Sequence, residues 1–161
     1  MESFDELKKV IAQLRAPGGC PWDREQTHES LKPSCIEEAA EVICGVNVLS
    51  ETGNPENLKE ELGDLLLQIM MHAEIAEEEG LFTIDDVIKG ITEKMIRRHP
   101  HVFGDTVVSG SGEVLKNWED IKAKEKEGKT DVTEYLPRAF DESIELIEVA
   151  RKRKEDQLKK K

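Results

Sequence analysis

The chain has 161 residues, a length that suits one domain with a core large enough to fold without disulfides. Charged residues make up 36% of the sequence and aromatic residues only 4%, so the composition favours amphipathic helices over a β-sandwich, and we predict an all-α fold. The formal net charge of −12 argues against a general affinity for DNA or RNA, because that affinity depends on neutralising phosphates with Lys and Arg.

Cysteine usage and hydrophobic runs indicate the compartment. Cys20, Cys35 and Cys44 are odd in number and show no CxxC spacing, so we expect reduced thiols rather than disulfides or a zinc site. The first residues lack the basic and apolar regions of a signal peptide, and the longest apolar run, 65–71, is interrupted by Gln68. We therefore predict a cytoplasmic protein that does not contact membranes.

Apolar residues recur at helical spacing along most of the chain, and capping residues, prolines and glycines divide them into helices. The predicted helices cover 3–15, 27–50, 55–79 and 83–98, a stretch around Trp118 that ends near 128, and a last stretch from about 137. Loops are predicted at 19–23 and 104–112. The last helix leads into a Lys- and Arg-rich end that we expect to be frayed and solvated.

Two short acidic motifs, at 37–41 and 60–64, lie inside apolar helical patterns. Residues three or four apart share one helix face, so Glu38 points with Glu41, and Glu61 with Asp64. If the two helices pack antiparallel, the four carboxylates converge and repel one another unless a cation lies between them. All-oxygen ligation selects Mg²⁺, Mn²⁺ or Ca²⁺ over zinc, and Mg²⁺ bound this way usually also holds substrate phosphates.

Chance offers an alternative explanation of these acidic pairs. A chain with 35 acidic residues places Glu pairs at helical spacing by chance, and most such pairs are solvated surface. Apolar neighbours suggest instead that the acids border core faces; these neighbours are Ile36, Ala39, Ala40 and Ile43 in the first motif, and Leu62, Leu65, Leu66 and Ile69 in the second. The spacing alone leaves both interpretations open.

A basic cluster and an aromatic pair are candidates for contact with such a substrate. Lys94, Arg97 and Arg98 end a predicted helix, where basic residues either complement the helix dipole or grip phosphate oxygens. Trp118 and Lys122 are four apart, so the indole either packs in the core or stacks on a base while the ammonium reaches toward phosphate. The acidic motifs at 37–41 and 60–64 contain no Glu-x-x-His, which weakens an iron-dependent oxidase as an interpretation.

The motifs taken together closely resemble those of MazG-type nucleoside triphosphate pyrophosphohydrolases. They stand in the family's order over roughly residues 1–128, at 19–23, 26–31, 37–41, 60–64 and 97–103. The resemblance implies a dimeric all-α helical bundle that hydrolyses nucleoside triphosphates to monophosphate and pyrophosphate. It also implies that Mg²⁺, for which Mn²⁺ can substitute, is the cofactor.

Residue roles follow from the same resemblance. By motif position, Glu38, Glu41, Glu61 and Asp64 would bind the metal, and Glu37 would orient water or a second ion. The residues that would contact the nucleotide are Lys94, Arg97 and Arg98 and, from outside the best-matching motifs, Trp118 and Lys122.

The domain prediction is a pyrophosphohydrolase domain over 1–128, followed by a linker and a divergent C-terminal helix with a basic tail over 129–161. Many family members carry two such domains in tandem, whereas this sequence has one set of motifs. Our leading hypothesis is Mg²⁺-dependent hydrolysis of (deoxy)nucleoside triphosphates, non-canonical ones included, by a homodimer or higher homo-oligomer. The alternative is a non-catalytic helical module whose acidic face is solvated and whose apolar stripe binds a partner.

Overall fold

The computed structural model describes residues 2–125 and 131–160, and within these ranges the regular structure is entirely α-helical. This confirms the all-α prediction. The predicted helix end near 128 lies outside the described residues. The helices are α1 (Glu2–Arg15), α2 (Pro21–Glu25), α3 (His28–Thr52), α4 (Glu56–Glu78), α5 (Ile84–Arg98), α6 (Pro100–Phe103), α7 (Ser111–Glu125) and α8 (Tyr135–Leu158).

Local sequence signals explain where the two longest central helices begin and end. Thr27 caps α3, since its hydroxyl accepts from Ser30 N at 3.1 Å while its own N–H donates to Ser30 Oγ at 2.9 Å. Gly53, at φ 73°, ends α3 in the left-handed conformation that glycine adopts without strain. Helix α2 begins at Pro21, within the predicted loop at 19–23, because proline is favoured in a first helical turn.

Helices α1 to α4 and α8 form one compact unit. Residues 53–55 connect α3 to α4, and the two helices pack closely where α3 has a buried glycine, Gly45. A Cβ atom there would lie 2.7 Å from Leu58 Cα, so only glycine permits this approach. The buried apolar core of the unit consists of Ile11, Leu31, Met70, Met71, Ala73, Ile75 and Ala76.

A polar contact also joins α3 to α4. The rings of His28 and His72 stack at 5.1 Å, and their Nδ1 atoms are 2.8 Å apart. His72 Nε2 lies 3.3 Å from the Sγ atom of Cys35, which is a free thiol like the other two cysteines. Burial and the neighbouring His28 lower the pKa of His72, so His72 is expected to be neutral at physiological pH.

Helix α8 differs from the expectation for the basic end of the chain. The expectation of fraying is wrong, because the helix continues to Leu158, although none of its residues is buried. It packs on α3, where Lys32 Nζ lies 3.2 Å from Glu142 Oε1 and where Arg153 pairs with Glu37. The predicted division into 1–128 and 129–161 stays a prediction.

Helices α5 to α7 form the second compact unit, in which α5 contacts both α6 and α7. The predicted stop at His99 is confirmed, because α5 ends at Arg98 and α6 begins at Pro100. In neither described range is any helix long and apolar enough to cross a membrane.

Candidate metal centre

Three of the predicted metal ligands converge between α3 and α4. Glu38 on α3 and Glu61 and Asp64 on α4 each place one carboxylate oxygen within 4.8 Å of the other two. Two oxygens on opposite sides of one hard divalent ion are about 4–5 Å apart, so this spacing suits shared coordination. Glu61 is only 8% exposed, which is unusual for an unpaired acid and is costly without a counter-charge.

The acids of this cluster disfavour one another's charge. Burial raises the pKa of Glu38, and repulsion by Glu41 and Asp64 raises it further. Burial also raises the pKa of Glu61, and repulsion by the same two acids adds to this rise. The hydrogen bond from Asn57 acts in the opposite direction but does not cancel it. A bound cation would remove this repulsion, and the donor set, made only of oxygens, fits Mg²⁺, Mn²⁺ or Ca²⁺ rather than a softer metal.

Buried amide oxygens beside the cluster also fit a hydrated ion. Asn57 Nδ2 donates to Glu61 Oε1 at 2.8 Å, while Asn57 Oδ1 is buried without a hydrogen-bond partner among the residues described. Gln68 Oε1 is likewise buried and unpartnered there. Positions 57, 61, 64 and 68 share one face of α4, so the face carries more acceptors than donors. Waters on a divalent ion would supply the missing donors.

Sequence reasoning missed Asn57 and Gln68 as site residues. The signal that could have found them is the polar spacing i, i+4, i+7 and i+11 along one face of the helix, which adds an amide at each end of the Glu61 and Asp64 pair. Asn57 is a positioning residue, because its amide fixes the Glu61 carboxylate.

The other two predicted acids contact α8. Lys154 Nζ lies 2.5 Å from Glu41 Oε1 and 3.2 Å from Glu37 Oε1, and the Arg153 guanidinium pairs with Glu37 Oε2. Burial acts to raise the pKa of Glu37, but the ion pairs with Arg153 and Lys154 outweigh it and lower that pKa. Glu41 therefore lies between the cations of α8 and the acidic cluster, since it also repels the charge of Glu38.

Some apolar residues that flank the acidic motifs face solvent. Ile43 is 64% exposed, Leu62 51% and Ile69 45%. The expectation that the acids border core faces of this chain is wrong for these three residues and for Ala39 and Ala40, which are also exposed. None of the eight flanking apolar residues is buried. Ile43, Leu62 and Ile69 instead form part of an exposed apolar surface on α3 and α4, which is the kind of surface that a protein partner covers.

The predicted nucleotide-contacting arginines form ion pairs within the second unit. Arg97 Nε lies 2.6 Å from Glu125 Oε1, and Arg98 Nη2 lies 2.5 Å from Glu125 Oε2. These hydrogen bonds lower the pKa of Glu125 to about 2, and the bond from Arg98 has the largest effect. The Arg98 guanidinium also lies 5.0 Å from the Trp118 ring centroid, and the His99 ring contacts that indole edge-on at 5.0 Å.

The two predicted lysines of the second unit differ in their partners. Lys122 Nζ lies 3.4 Å from Glu119 Oε1 on its own helix. Lys94 is half-buried, and its side chain has no ion pair with the residues that the structure describes. The roles of these residues toward a nucleotide stay predictions, because an ion pair with Glu125 and a packed indole also suit a purely structural role.

Comparisons with known proteins identify the family of the α3 and α4 region. Residues 26–103 match the model of the MazG nucleotide pyrophosphohydrolase domain. The relative from Thermotoga maritima named nucleoside triphosphate pyrophosphohydrolase/pyrophosphatase MazG is 55% identical over 123 residues, which are 76% of this chain and 45% of that protein. The Escherichia coli K12 relative named nucleoside triphosphate pyrophosphohydrolase is 42% identical over 143 residues, 87% of this chain and 53% of that protein.

A further relative is the uncharacterized protein YabN of Bacillus subtilis, which is 54% identical over 123 residues, 76% of this chain and 24% of that protein. The chain therefore spans between about a quarter and about half the length of these curated relatives.

Proposed function

Since the chain belongs to the MazG nucleotide pyrophosphohydrolase family, we propose that it hydrolyses nucleoside triphosphates to monophosphate and pyrophosphate with Mg²⁺. The observation that carries this proposal is the convergence of the Glu38, Glu61 and Asp64 carboxylates from two helices. Three acids in one place are costly in an apo protein, and they become useful when a divalent ion and the phosphates it binds are present.

The chain's own residues would act as follows. Glu38, Glu61 and Asp64 hold the ion, and Asn57 keeps the Glu61 carboxylate in place through its amide. When bound, Mg²⁺ or Mn²⁺ neutralises phosphate charge and lowers the pKa of an attacking water. Glu41 completes the acidic set, and Glu37 orients water or a second ion, as the family resemblance implies.

Residues of the second unit supply the proposed nucleotide contacts. Lys94 is a candidate for phosphate because no carboxylate in the described residues neutralises it. Arg97 and Arg98 would exchange Glu125 for phosphate oxygens, since a guanidinium fork suits either anion. Trp118 would stack on the base, with Lys122 beside it on the same helix face.

A homodimer or higher homo-oligomer in the cytoplasm is part of the same proposal. The exposed apolar side chains of Ile43, Leu62 and Ile69 support it, because a second copy of the chain would remove them from water. Light scattering at micromolar concentration should then give at least twice the mass of one chain. A stable monomer would contradict the oligomer without affecting the proposed chemistry.

The activity is tested with a panel of (deoxy)nucleoside triphosphates, including oxidised and deaminated bases, incubated with Mg²⁺. We expect monophosphate and pyrophosphate in equal amounts, no turnover in excess EDTA, and recovery with Mn²⁺. Reaction in ¹⁸O-labelled water locates the attacked phosphorus. Release of diphosphate and inorganic phosphate, or no turnover of any nucleotide, would contradict the proposal, and the latter result would favour a non-catalytic interaction module.

A further inference from the structure

The basic end of α8 makes ion pairs with acids of α3 that belong to the metal-binding motif. Lys154 bridges Glu37 and Glu41, with Nζ 3.2 Å and 2.5 Å from their Oε1 atoms, and Arg153 pairs with Glu37. Two cations therefore neutralise two acids of the motif at 37–41. Arg151, two residues before Arg153, differs because its ion-pair partners lie on α8 itself.

Glu41 interacts with the acidic cluster and also with a cation of α8. Its charge repels those of Glu38 and Glu61, so it lies close enough to the acidic cluster to act on both of them. It also pairs with the Lys154 ammonium. A carboxylate that is paired with an ammonium attracts a divalent ion less strongly than a free carboxylate does. A metal ion that draws on Glu41 must therefore compete with Lys154.

The contact between α8 and α3 is loose enough for such competition. A cavity of about 260 Å³ lies between the two helices, directly beside Glu37, Glu41 and Lys154. A second cavity of about 280 Å³ follows along the same pair of helices, beside Cys35 and His72. Gaps of this kind forfeit dispersion contacts, and no residue of α8 is buried, so the packing that holds α8 on α3 is incomplete.

We propose that Lys154, with Arg153 beside it on Glu37, is a built-in counter-ion that a divalent metal must displace from Glu41, so that α8 sets the metal concentration at which the site fills. This inference rests on the proposed function, because it takes the acidic cluster to be a metal centre. Metal binding at Glu38, Glu61 and Asp64 draws Glu41 away from Lys154 and loosens the end of α8. Conversely, α8 seated on α3 weakens metal binding, as linkage between the two contacts requires.

The experiment measures Mn²⁺ affinity by electron paramagnetic resonance in the 161-residue chain without nucleotide. The test variant is Arg153→Ala/Lys154→Ala, and Lys154→Met is a second variant that keeps the aliphatic stem. The matched control is Arg151→Ala/Lys152→Ala, which removes the same charge from the same helix. Arg151 suits this purpose because it lies 3.3 Å from Glu148 and 3.7 Å from Glu155, both on α8.

We expect the test variant to bind Mn²⁺ about three- to ten-fold more tightly than the wild type, in line with the loss of several exposed ion pairs. The control should stay within about two-fold, and the difference should shrink in 0.5 M salt because salt screens exposed pairs. Unchanged or weaker binding in the test variant, or an equal gain in the control, would overturn the inference. If the wild type binds no Mn²⁺, the proposed function fails as well.

Nucleotide turnover distinguishes a second outcome. If Arg153 and Lys154 gripped substrate, the test variant would lose activity at saturating Mg²⁺ and its KM for the nucleotide would rise, with unchanged Mn²⁺ affinity. That result would overturn the counter-ion role and assign the two cations to the substrate. The counter-ion role predicts instead that the variant reaches half-maximal rate at a Mg²⁺ concentration about three- to ten-fold lower.

Discussion

Replacing Glu61 by Gln is expected to lower pyrophosphate release by about 10³-fold while making the metal-free protein more stable. Gln keeps the shape of the side chain and can still accept the hydrogen bond from Asn57. It removes a charged ligand, whose loss costs several kcal/mol of transition-state stabilisation at a metal centre. It also removes a buried charge that repels Glu41 and Asp64, and this should stabilise the folded state in the absence of metal.

The pH dependence of this stabilisation has a definite sign. The pKa of Glu61 is raised in the fold, so between the unfolded value of about 4.5 and the raised value the native state binds more protons than the unfolded state. The Glu61 carboxyl therefore makes the wild type lose stability as pH rises through that window, and the Gln variant lacks this contribution. The melting temperature of Glu61→Gln should exceed that of the wild type at neutral pH, and the difference should vanish well below pH 4.5.

Glu60→Gln is the matched control, because Glu60 is adjacent in sequence but exposed on α4. It should keep turnover within a few-fold of the wild type. Circular dichroism should report the same helical content for both variants, which separates lost chemistry from lost structure. Turnover by Glu61→Gln close to that of the wild type would show that the acidic cluster is not the catalytic metal centre.

Gly45→Ala is expected to destabilise the protein by about 1–3 kcal/mol, the usual cost of overpacking. The new Cβ would meet Leu58 Cα at 2.7 Å and Leu58 N at 3.0 Å, and backbone atoms cannot rotate away as a side chain can. The two helices must separate to relieve the clash. Since Glu38 lies on one helix and Glu61 on the other, the Mn²⁺ affinity should fall together with the melting temperature.

The control for the glycine prediction is Gly63→Ala. No atom lies within 4 Å of a Cβ built at Gly63, so alanine there adds helix propensity without a clash and should stabilise α4 by up to about 1 kcal/mol. Thermal unfolding of both variants measures the difference. Equal melting temperatures for Gly45→Ala and the wild type would mean that α3 and α4 do not approach as closely as the structure places them.

Local patterns predicted most of the helices because helix signals act within a few residues. Thr27 starts α3 and Gly53 ends it. The acidic motifs were also readable from spacing, since residues three and four apart share a face. The short connection at 53–55 is enough to predict that α3 and α4 pack against each other as antiparallel neighbours.

Long-range contacts could not be predicted in the same way. Arg153 is 116 residues away from Glu37, and nothing in the local pattern of a basic helix end specifies which acid it meets. The sequence likewise did not reveal that Ile43 and Leu62 face solvent, because an apolar stripe that meets the core and one that meets a partner have the same period. Such details depend on how helices pack, which is decided by the whole chain.

The central claim is that carboxylates from α3 and α4 share one divalent ion, and Mn²⁺ binding by electron paramagnetic resonance tests it most directly. Wild type, Glu38→Gln, Glu61→Gln and the double variant are titrated under the same conditions. If the two acids are ligands of one ion, each single variant loses the tight Mn²⁺ and the double variant loses little more. If either single variant keeps the wild-type affinity, or if the losses simply add, the two helices do not share an ion and the account is contradicted.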